Sequence, residues 1–394
     1  MNEDRRNFIK ISSTTAGVVL VPGIFTGCFT KSEKMQKEVS AWDGHKYDEK
    51  DIRIIVLSYA ILAPNPHNKQ PWLIQLKDES NFDLYVDTNR TLPHTDPPFR
   101  QLHIGQGTFL ENLNLAALNF GYKAIINYFP QGQYSNSVIE NKPVASIQLI
   151  QDKSITKDPL FDQILVRQSN KRAYDNEKAP LKQLKMLQSK IKEELENGFS
   201  LNITSKTEHM EKLRDIMVNS MKIESNNHDR DMETIKMFRF SKEEVNKYKD
   251  GFGLAQSGVT GIKKFLIENL FLSRDSAEKD PISFGKEAIS MTQNQVDSTT
   301  TFGWLTTTNN NRLDQVKAGR AYERINLLAN SLGLEIHPMS QVLQEYSDMN
   351  GLQKEFLNYL KVPKGHTVQM FFRIGTAAKV EHSPRRDLKD LLIT

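Results

Sequence analysis

The chain has 394 residues, enough for two or three domains at about 150 residues each. Its 52 Lys and Arg stand against 48 Asp and Glu, a formal charge of +4, which lacks the basic excess a dedicated nucleic-acid binder needs to neutralise phosphates. The single cysteine, Cys28, excludes an intramolecular disulfide framework and any multi-cysteine zinc or iron–sulfur centre.

Residues 1–28 have the pattern of an export signal. A charged start, Asp4-Arg5-Arg6-Asn7-Phe8-Ile9-Lys10, precedes the moderately apolar run 11–24, which is too short to span a bilayer as a permanent helix. The paired arginines resemble the twin-arginine signal, and Thr26-Gly27-Cys28 resembles a lipoprotein processing site. These resemblances imply the twin-arginine machinery as a partner and an exported, periplasmic or membrane-anchored protein. Lipidation at Cys28 would anchor it stably through several acyl chains. Plain cleavage and an uncleaved anchor are the alternatives. Residues 29–45 read as a polar tether. No later stretch reaches 18 consecutive apolar residues.

Apolar positions from Tyr47 to Leu62 follow the spacing of a buried helical face, and Pro64 and Pro66 stop the helix. Residues 72–76 and 82–86 read as two strands around a polar turn. A long helix is expected from about His103 to Phe120, closed by Gly121, and a strand over 144–150. Gly105-Gln106-Gly107 follows no strand and lacks a third glycine, so a dinucleotide-binding reading is rejected. Residues 180–300 are rich in Lys, Glu and Met, with helical periodicity over 210–223 and 232–248. This stretch reads as an insertion, either a lid over a site or a peripheral decoration. A last strand is expected over 368–374.

An internal repeat underlies this order. Residues 107–122 align with 319–334 at a constant offset of 212, with six identities in 16 positions: Gly107/Gly319, Glu111/Glu323, Asn114/Asn326, Leu115/Leu327, Ala117/Ala329 and Gly121/Gly333. Each helix is followed by a strand. The fold class is therefore α+β, in two related halves, 45–155 and 156–394.

Three segments carry the chemistry. The first is the proline-rich turn Ala63-Pro64-Asn65-Pro66-His67-Asn68-Lys69-Gln70-Pro71-Trp72. The second is Arg167-Gln168-Ser169-Asn170-Lys171-Arg172, and the third is Pro384-Arg385-Arg386. Guanidinium groups and a hydroxyl are the donors an anionic phosphate requires. Taken singly, each arginine is ordinarily a solvated surface charge.

Asn65 to Trp72 resembles the Pro-Ser-Ser-x-Asn-x-Gln-Pro-Trp turn of the nitroreductase superfamily of FMN enzymes. Arg167 to Arg172 is similar to that family's Arg-x-Ser-x-Arg segment, stretched by one residue. Gly333 to Gln341 resembles the segment passing the flavin N5 edge, and Pro384-Arg385-Arg386 the C-terminal segment that closes on the phosphate. The resemblance implies FMN as cofactor, bound between two tandem halves that form a pseudo-dimer around antiparallel-rich sheets with long core helices. It implies that Arg167, Ser169, Arg172 and Arg385 hold the phosphate and ribityl chain. Pro64, Asn65, Asn68 and Gln70 would contact or support the isoalloxazine, and the backbone at Met339, Ser340 and Gln341 would face N5. The implied activity is two-electron reduction of small electrophiles such as nitroaromatics or quinones in a ping-pong cycle, with NAD(P)H or another donor. A flavin-sequestering protein and an envelope binding module with little turnover are the alternatives. Asn65 and Pro66 replace two serines of the family pattern. His94, Asp96 and His103 have weak spacing for a metal and read as structural. Ser169 lacks the His and Asp pattern of a hydrolase.

Overall fold

Asp51 starts the first helix of the computed structural model by accepting the Arg53 amide on its carboxylate at 2.9 Å. The structure describes residues 40–175, 177–259 and 273–394, so the expected export signal, Cys28 and most of the expected tether lie outside the described residues. Residues 40–45 are not the end of a polar tether. Ser40 caps a 3-10 turn, Ala41–Asp43, and Trp42 packs against the hydrophobic core.

The elements run α1 (Ile52–Ala60), β1 (Trp72–Leu76), β2 (Asn81–Val86), α2 (Arg100–Asn119), β3 (Tyr122–Tyr128) and β4 (Ala145–Gln151). The long helix α2 begins three residues before its expected start. Asp96 caps it from outside the usual position, its carboxylate accepting the amides of Gln101 and Leu102 at 3.1 and 2.8 Å. Gly121 ends it at φ +79°, as the helix-stop reading requires. Strand β3 was missed by the sequence reading, although Tyr122, Ala124, Ile126 and Tyr128 alternate with more exposed neighbours.

The chain continues through α3 (Leu181–Glu194), β5 (Phe199–Thr204), α4 (Thr207–Glu224), α5 (His228–Met237), α6 (Lys242–Tyr248), α7 (Arg274–Lys279), α8 (Pro281–Asp297) and β6 (Thr301–Thr307). It closes with α9 (Arg312–Ser331), β7 (Glu335–Pro338), α10 (Asn350–Tyr359), β8 (Thr367–Gly375) and β9 (Leu392–Ile393). Residues 180–300 are therefore not a single insertion. Helix α3 packs on the core and β5 is an edge strand, while the helical segment proper runs from α4 to α8, between β5 and β6. The helix expected over 232–248 is split at Phe238, where the backbone leaves the helix to pair with Phe252: the Arg239 amide donates to Phe252 O at 2.8 Å.

The sheets are a five-stranded β3-β4-β2-β1-β9 and a four-stranded β5-β6-β8-β7. Every neighbouring pair is antiparallel except β1 with β9, where the chain's last strand adds to the first. The fold is thus α+β and antiparallel-rich. Helices α2 and α9 pack against each other in the shared core. A Cβ on Gly107 would lie 1.8 Å from Val316 O and 2.8 Å from Gly319 Cα; one on Gly319 would lie 1.9 Å from Ile104 O and 2.8 Å from Gly107 Cα. Backbone meets backbone there because neither residue carries a side chain. One core runs through both helices and both sheets, including Trp72, Phe82, Phe109, Tyr322 and Phe372, and residues 40–394 form one unit. No described helix is long and apolar enough to cross a membrane.

Candidate functional site

The turn between α1 and β1 has an unusual backbone. His67, Asn68 and Gln70 have φ of +48°, +52° and +52°. Left-handed conformations in residues other than glycine persist only where the surroundings enforce them. Here the enforcement is explicit. Asn65 Oδ1 accepts the Gln70 amide at 2.7 Å, and Thr108 donates its hydroxyl to Pro64 O at 2.6 Å. Asn68 Oδ1 accepts from Arg385 at 2.9 Å, and Gln70 Oε1 accepts the Arg386 amide at 2.8 Å. The amides of the same two side chains point the other way: Asn68 Nδ2 donates to Gly251 O and Gln70 Nε2 to Lys249 O, each at 2.9 Å.

Arg167 and Arg385 meet behind this turn, at the C-terminal end of α1. Arg385 donates to Ile61 O at 2.8 Å and Leu62 O at 2.9 Å, and Arg167 also donates to Leu62 O. Arg167 pairs with Glu323 at 3.2 Å, both side chains being almost wholly buried. Burial raises the Glu323 carboxyl to about 7, against the pull of Arg167. The Arg385 guanidinium is held well below its ordinary value by burial and by the charge of Arg167. Both arginines were expected as phosphate donors. The structure instead gives them helix carbonyls, where cations complement the helix dipole, and a buried carboxylate.

The third expected cation, Arg172, is half-buried, and among the described residues its guanidinium makes one long bond, to Ala378 O at 3.4 Å. Its neighbour Lys171, passed over in the sequence reading, lies at the centre. The Lys171 ammonium sits 3.6 Å from the centroid of the Phe252 ring. No carboxylate pairs with it among the described residues, and burial brings it down to about 8. His67 packs edge-on to the same Phe252 ring at 5.6 Å, and its Nδ1 is buried without a hydrogen-bond partner among the described residues. Burial, then the charge of Lys171, hold His67 down to about 3, so the ring is neutral at pH 7. A signal for Lys171 was present. It lies in the same basic run as Arg167 and Arg172.

Ser169 forms a parallel bridge to Ile336, which brings this segment alongside β7. Arg373, wholly buried on β8, fastens the two. It donates to Asn170 O at 3.1 Å, Arg172 O at 2.7 Å and His337 Nδ1 at 3.1 Å. Neither Arg373 nor His337 was singled out from the sequence, because the strand pattern reads both as ordinary positions. Met339, Ser340 and Gln341 follow β7. The Met339 amide donates to Phe371 O at 2.8 Å and its side chain lies in a separate apolar cluster with Val342 and Phe371. Their described contacts do not reach Asn68, Gln70, Arg167 or Arg385. His103 is occupied by Phe99 O at 2.6 Å and the Tyr134 hydroxyl at 2.8 Å.

The segment after α6 is bonded to the turn and to both arginine segments. Besides the Asn68 and Gln70 bonds, the Lys171 amide donates to Gln256 O at 2.9 Å, Gln256 donates to His382 O at 3.2 Å, and Lys249 pairs with Asp387 at 3.0 Å. Residues 249–256 thus run across the turn, the 167–172 segment and the C-terminal segment.

The fold is α+β, and the turn with its three left-handed residues meets the 167–172 and 383–386 segments. No family model matches the chain. It is 33% identical over 94 residues to a "Putative NAD(P)H nitroreductase" of Mycobacterium tuberculosis, spanning 24% of this chain and 27% of that protein. An uncharacterized protein of the same organism is 36% identical over 75 residues, 18% and 22% of the two chains. The chain therefore matches about a quarter of the length of these relatives. Among solved structures, a nitroreductase with bound FMN from Bacteroides fragilis aligns over 60% of this chain and 100% of its own, at 13% identity and a TM-score of 0.34. The FMN-dependent nitroreductase NfnB of Mycobacterium smegmatis, in complex with NADPH, aligns over 56% and 90% at 14% identity and a TM-score of 0.34. Superpositions this partial carry no argument about the site.

Proposed function

We propose that this chain is an FMN-binding oxidoreductase of the nitroreductase type, reducing small electrophiles by two electrons. One observation carries the reading. The turn 64–72, the segment 167–172 and the segment 383–386, which resemble three separate nitroreductase motifs, meet at the carbonyls ending α1. The match to a protein called a NAD(P)H nitroreductase supports it from sequence over 94 residues.

The residues present fit the cofactor's phosphate. The Lys171 ammonium and the Arg172 guanidinium lack acidic partners among the described residues, the Ser169 hydroxyl is beside them in sequence, and His67 Nδ1 is a buried orphan. Lys171 and Arg172 would supply charge-assisted hydrogen bonds and Ser169 a neutral one. Arg167 and Arg385 act one layer behind, fixing the end of α1 and through Asn68 the shape of the turn. Pro64, Asn65, Asn68 and Gln70 support the ring side, and Met339, Ser340 and Gln341 the opposite edge. FMN held here would supply the hydride chemistry. The donor in this proposal is NAD(P)H or another reductant.

Further parts of the proposal concern assembly and location. The two sheets with α2 and α9 are read as tandem copies that imitate a two-chain dimer and hold one cofactor. The corresponding strand orders and the glycine crossing at offset 212 support this. Residues 1–28 are read as a twin-arginine signal with Cys28 as a lipid attachment point, placing the protein outside the cytoplasm. A second reading, flavin sequestration with little turnover, is favoured by the bonds that 249–256 makes across the turn.

The test is the visible spectrum of purified protein, with FMN added, and its bleaching by NAD(P)H. A colourless protein that takes up no FMN refutes the flavin reading. A yellow protein that NAD(P)H does not bleach selects sequestration or another donor. Lys171→Met and Arg172→Ala each weaken FMN retention by about tenfold, the worth of one charge-assisted bond. Unchanged retention in both refutes the phosphate assignment.

A further inference from the structure

The charges behind the turn do not balance. Two buried guanidiniums, Arg167 and Arg385, repel each other, and among the described residues Glu323 is the one carboxylate paired with them. Helix carbonyls take up part of the excess. The rest faces an aromatic ring that comes from the far end of the chain. The Arg385 Cζ lies 4.9 Å and the Arg167 Cζ 5.8 Å from the Trp42 ring. An indole face is the strongest of the aromatic partners for a desolvated cation.

Trp42 makes two more contacts. Its ring stacks on His382 at 4.0 Å with an interplanar angle of 9°, and its Nε1 donates to Ser383 O at 2.9 Å. Its own position is fixed locally. Ser40 Oγ accepts the Trp42 amide at 3.2 Å, the Ser40 amide donates to Asp43 at 2.9 Å, and His45 Nδ1 bonds the Tyr59 hydroxyl at 3.0 Å. The segment it grips is the one that shapes the site. Arg385 donates to Ser383 Oγ at 2.8 Å and to Asn68 Oδ1 at 2.9 Å, and Arg386 donates its amide to Gln70.

We propose that Trp42 is a positioning residue for the site, holding the segment 382–386 and the Arg385 and Arg167 guanidiniums so that the turn at Asn68 and Gln70 keeps its shape. The flavin arm of its test rests on the function proposed above; the exchange arm does not. Among the described residues no hydrogen bond or ring contact joins Trp42 to the turn. Its effect passes through His382, Ser383 and Arg385.

The experiment compares full-length wild type with Trp42→Ala and Trp42→Phe. Phenylalanine keeps a ring face for the guanidiniums and His382 and loses the Nε1 donor. Amide hydrogen exchange is read on peptides covering 64–72 and 381–387, and FMN affinity by fluorescence titration. Trp42→Ala is expected to speed exchange in those two peptides by about tenfold and to weaken FMN binding by about tenfold, with Trp42→Phe restoring most of both. Unchanged exchange in Trp42→Ala overturns the proposal. So does faster exchange spread evenly over the chain, because that is general destabilisation. Local loosening with unaltered FMN affinity overturns the role toward the cofactor. If the wild type binds no FMN, the functional reading fails, and the exchange data with the phenylalanine rescue alone decide the role of Trp42.

Discussion

Replacing Gly107 with alanine sets two effects of opposite sign against each other. Gly107 lies inside a 20-residue helix, where alanine is favoured over glycine by about 1 kcal/mol. The added methyl, however, would sit 1.8 Å from Val316 O and 2.8 Å from Gly319 Cα. Both obstacles are backbone, so no side chain can turn aside. To reach ordinary contact, the two helices must part by roughly 1.5 Å at the crossing, and a gap of ~1 Å already forfeits up to about half the dispersion energy of each facing pair. Overpacking of this kind costs about 1–3 kcal/mol, and more where backbone must move. The net expectation is a loss of roughly 2 kcal/mol, read as a lower midpoint in equilibrium urea unfolding. Gly319→Ala should behave alike, given its mirrored distances of 1.9 and 2.8 Å. The double variant should lose less than the sum, because both methyl groups open one gap. A Gly107→Ala protein as stable as wild type, or more so, would mean that helix propensity wins and that the helices do not touch there.

Arg167→Met strands Glu323 as a buried unpaired carboxylate and should cost about 3 kcal/mol, whereas Arg167→Met with Glu323→Gln should recover most of it; equal losses in the single and double variants would remove the pair from the account. Glu224 is buried and raised to about 7, mainly by desolvation. A carboxyl raised in the folded state weakens folding as pH climbs from its unfolded value near 4.5 through 7, so Glu224→Gln should match wild type near pH 4 and exceed it by about 3 kcal/mol at the most at pH 8. A stability difference independent of pH would sink that assignment. Lys171→Met should reduce FMN retention while leaving the urea midpoint nearly unchanged, the reverse of Arg167→Met, and binding and unfolding measured on the same preparations separate the two.

Much of the core was legible because it depends on local period. The hairpin strands, the long helix with its glycine stop, and the second helix at offset 212 follow from alternation, helical spacing and a positive-φ glycine. Strands β3, β5, β6, β7 and β9 were missed; β3 followed a helix directly, and β5 lay in a Lys- and Glu-rich stretch that masked its alternation. The turn was legible as a site from its residue types. Its three left-handed residues were not, because they depend in part on contacts from 249–251 and 385–386, far away in sequence.

By itself the sequence determined which segments matter: the turn at 64–72, the arginine segment at 167–172, the C-terminal arginines and the paired helices. Residue chemistry and near-neighbour spacing are local properties, and a single chain displays them without being folded. Tertiary structure alone decided which cation is spoken for. Arg167 and Arg385 reach helix carbonyls and Glu323, Lys171 and Arg172 are left without acids among the described residues, and residues 40–45 turn from tether into support for the C-terminal segment. The physical reason is reach. A long charged side chain takes the partner that the fold brings near, and here those partners lie about 100 to more than 300 positions away along the chain.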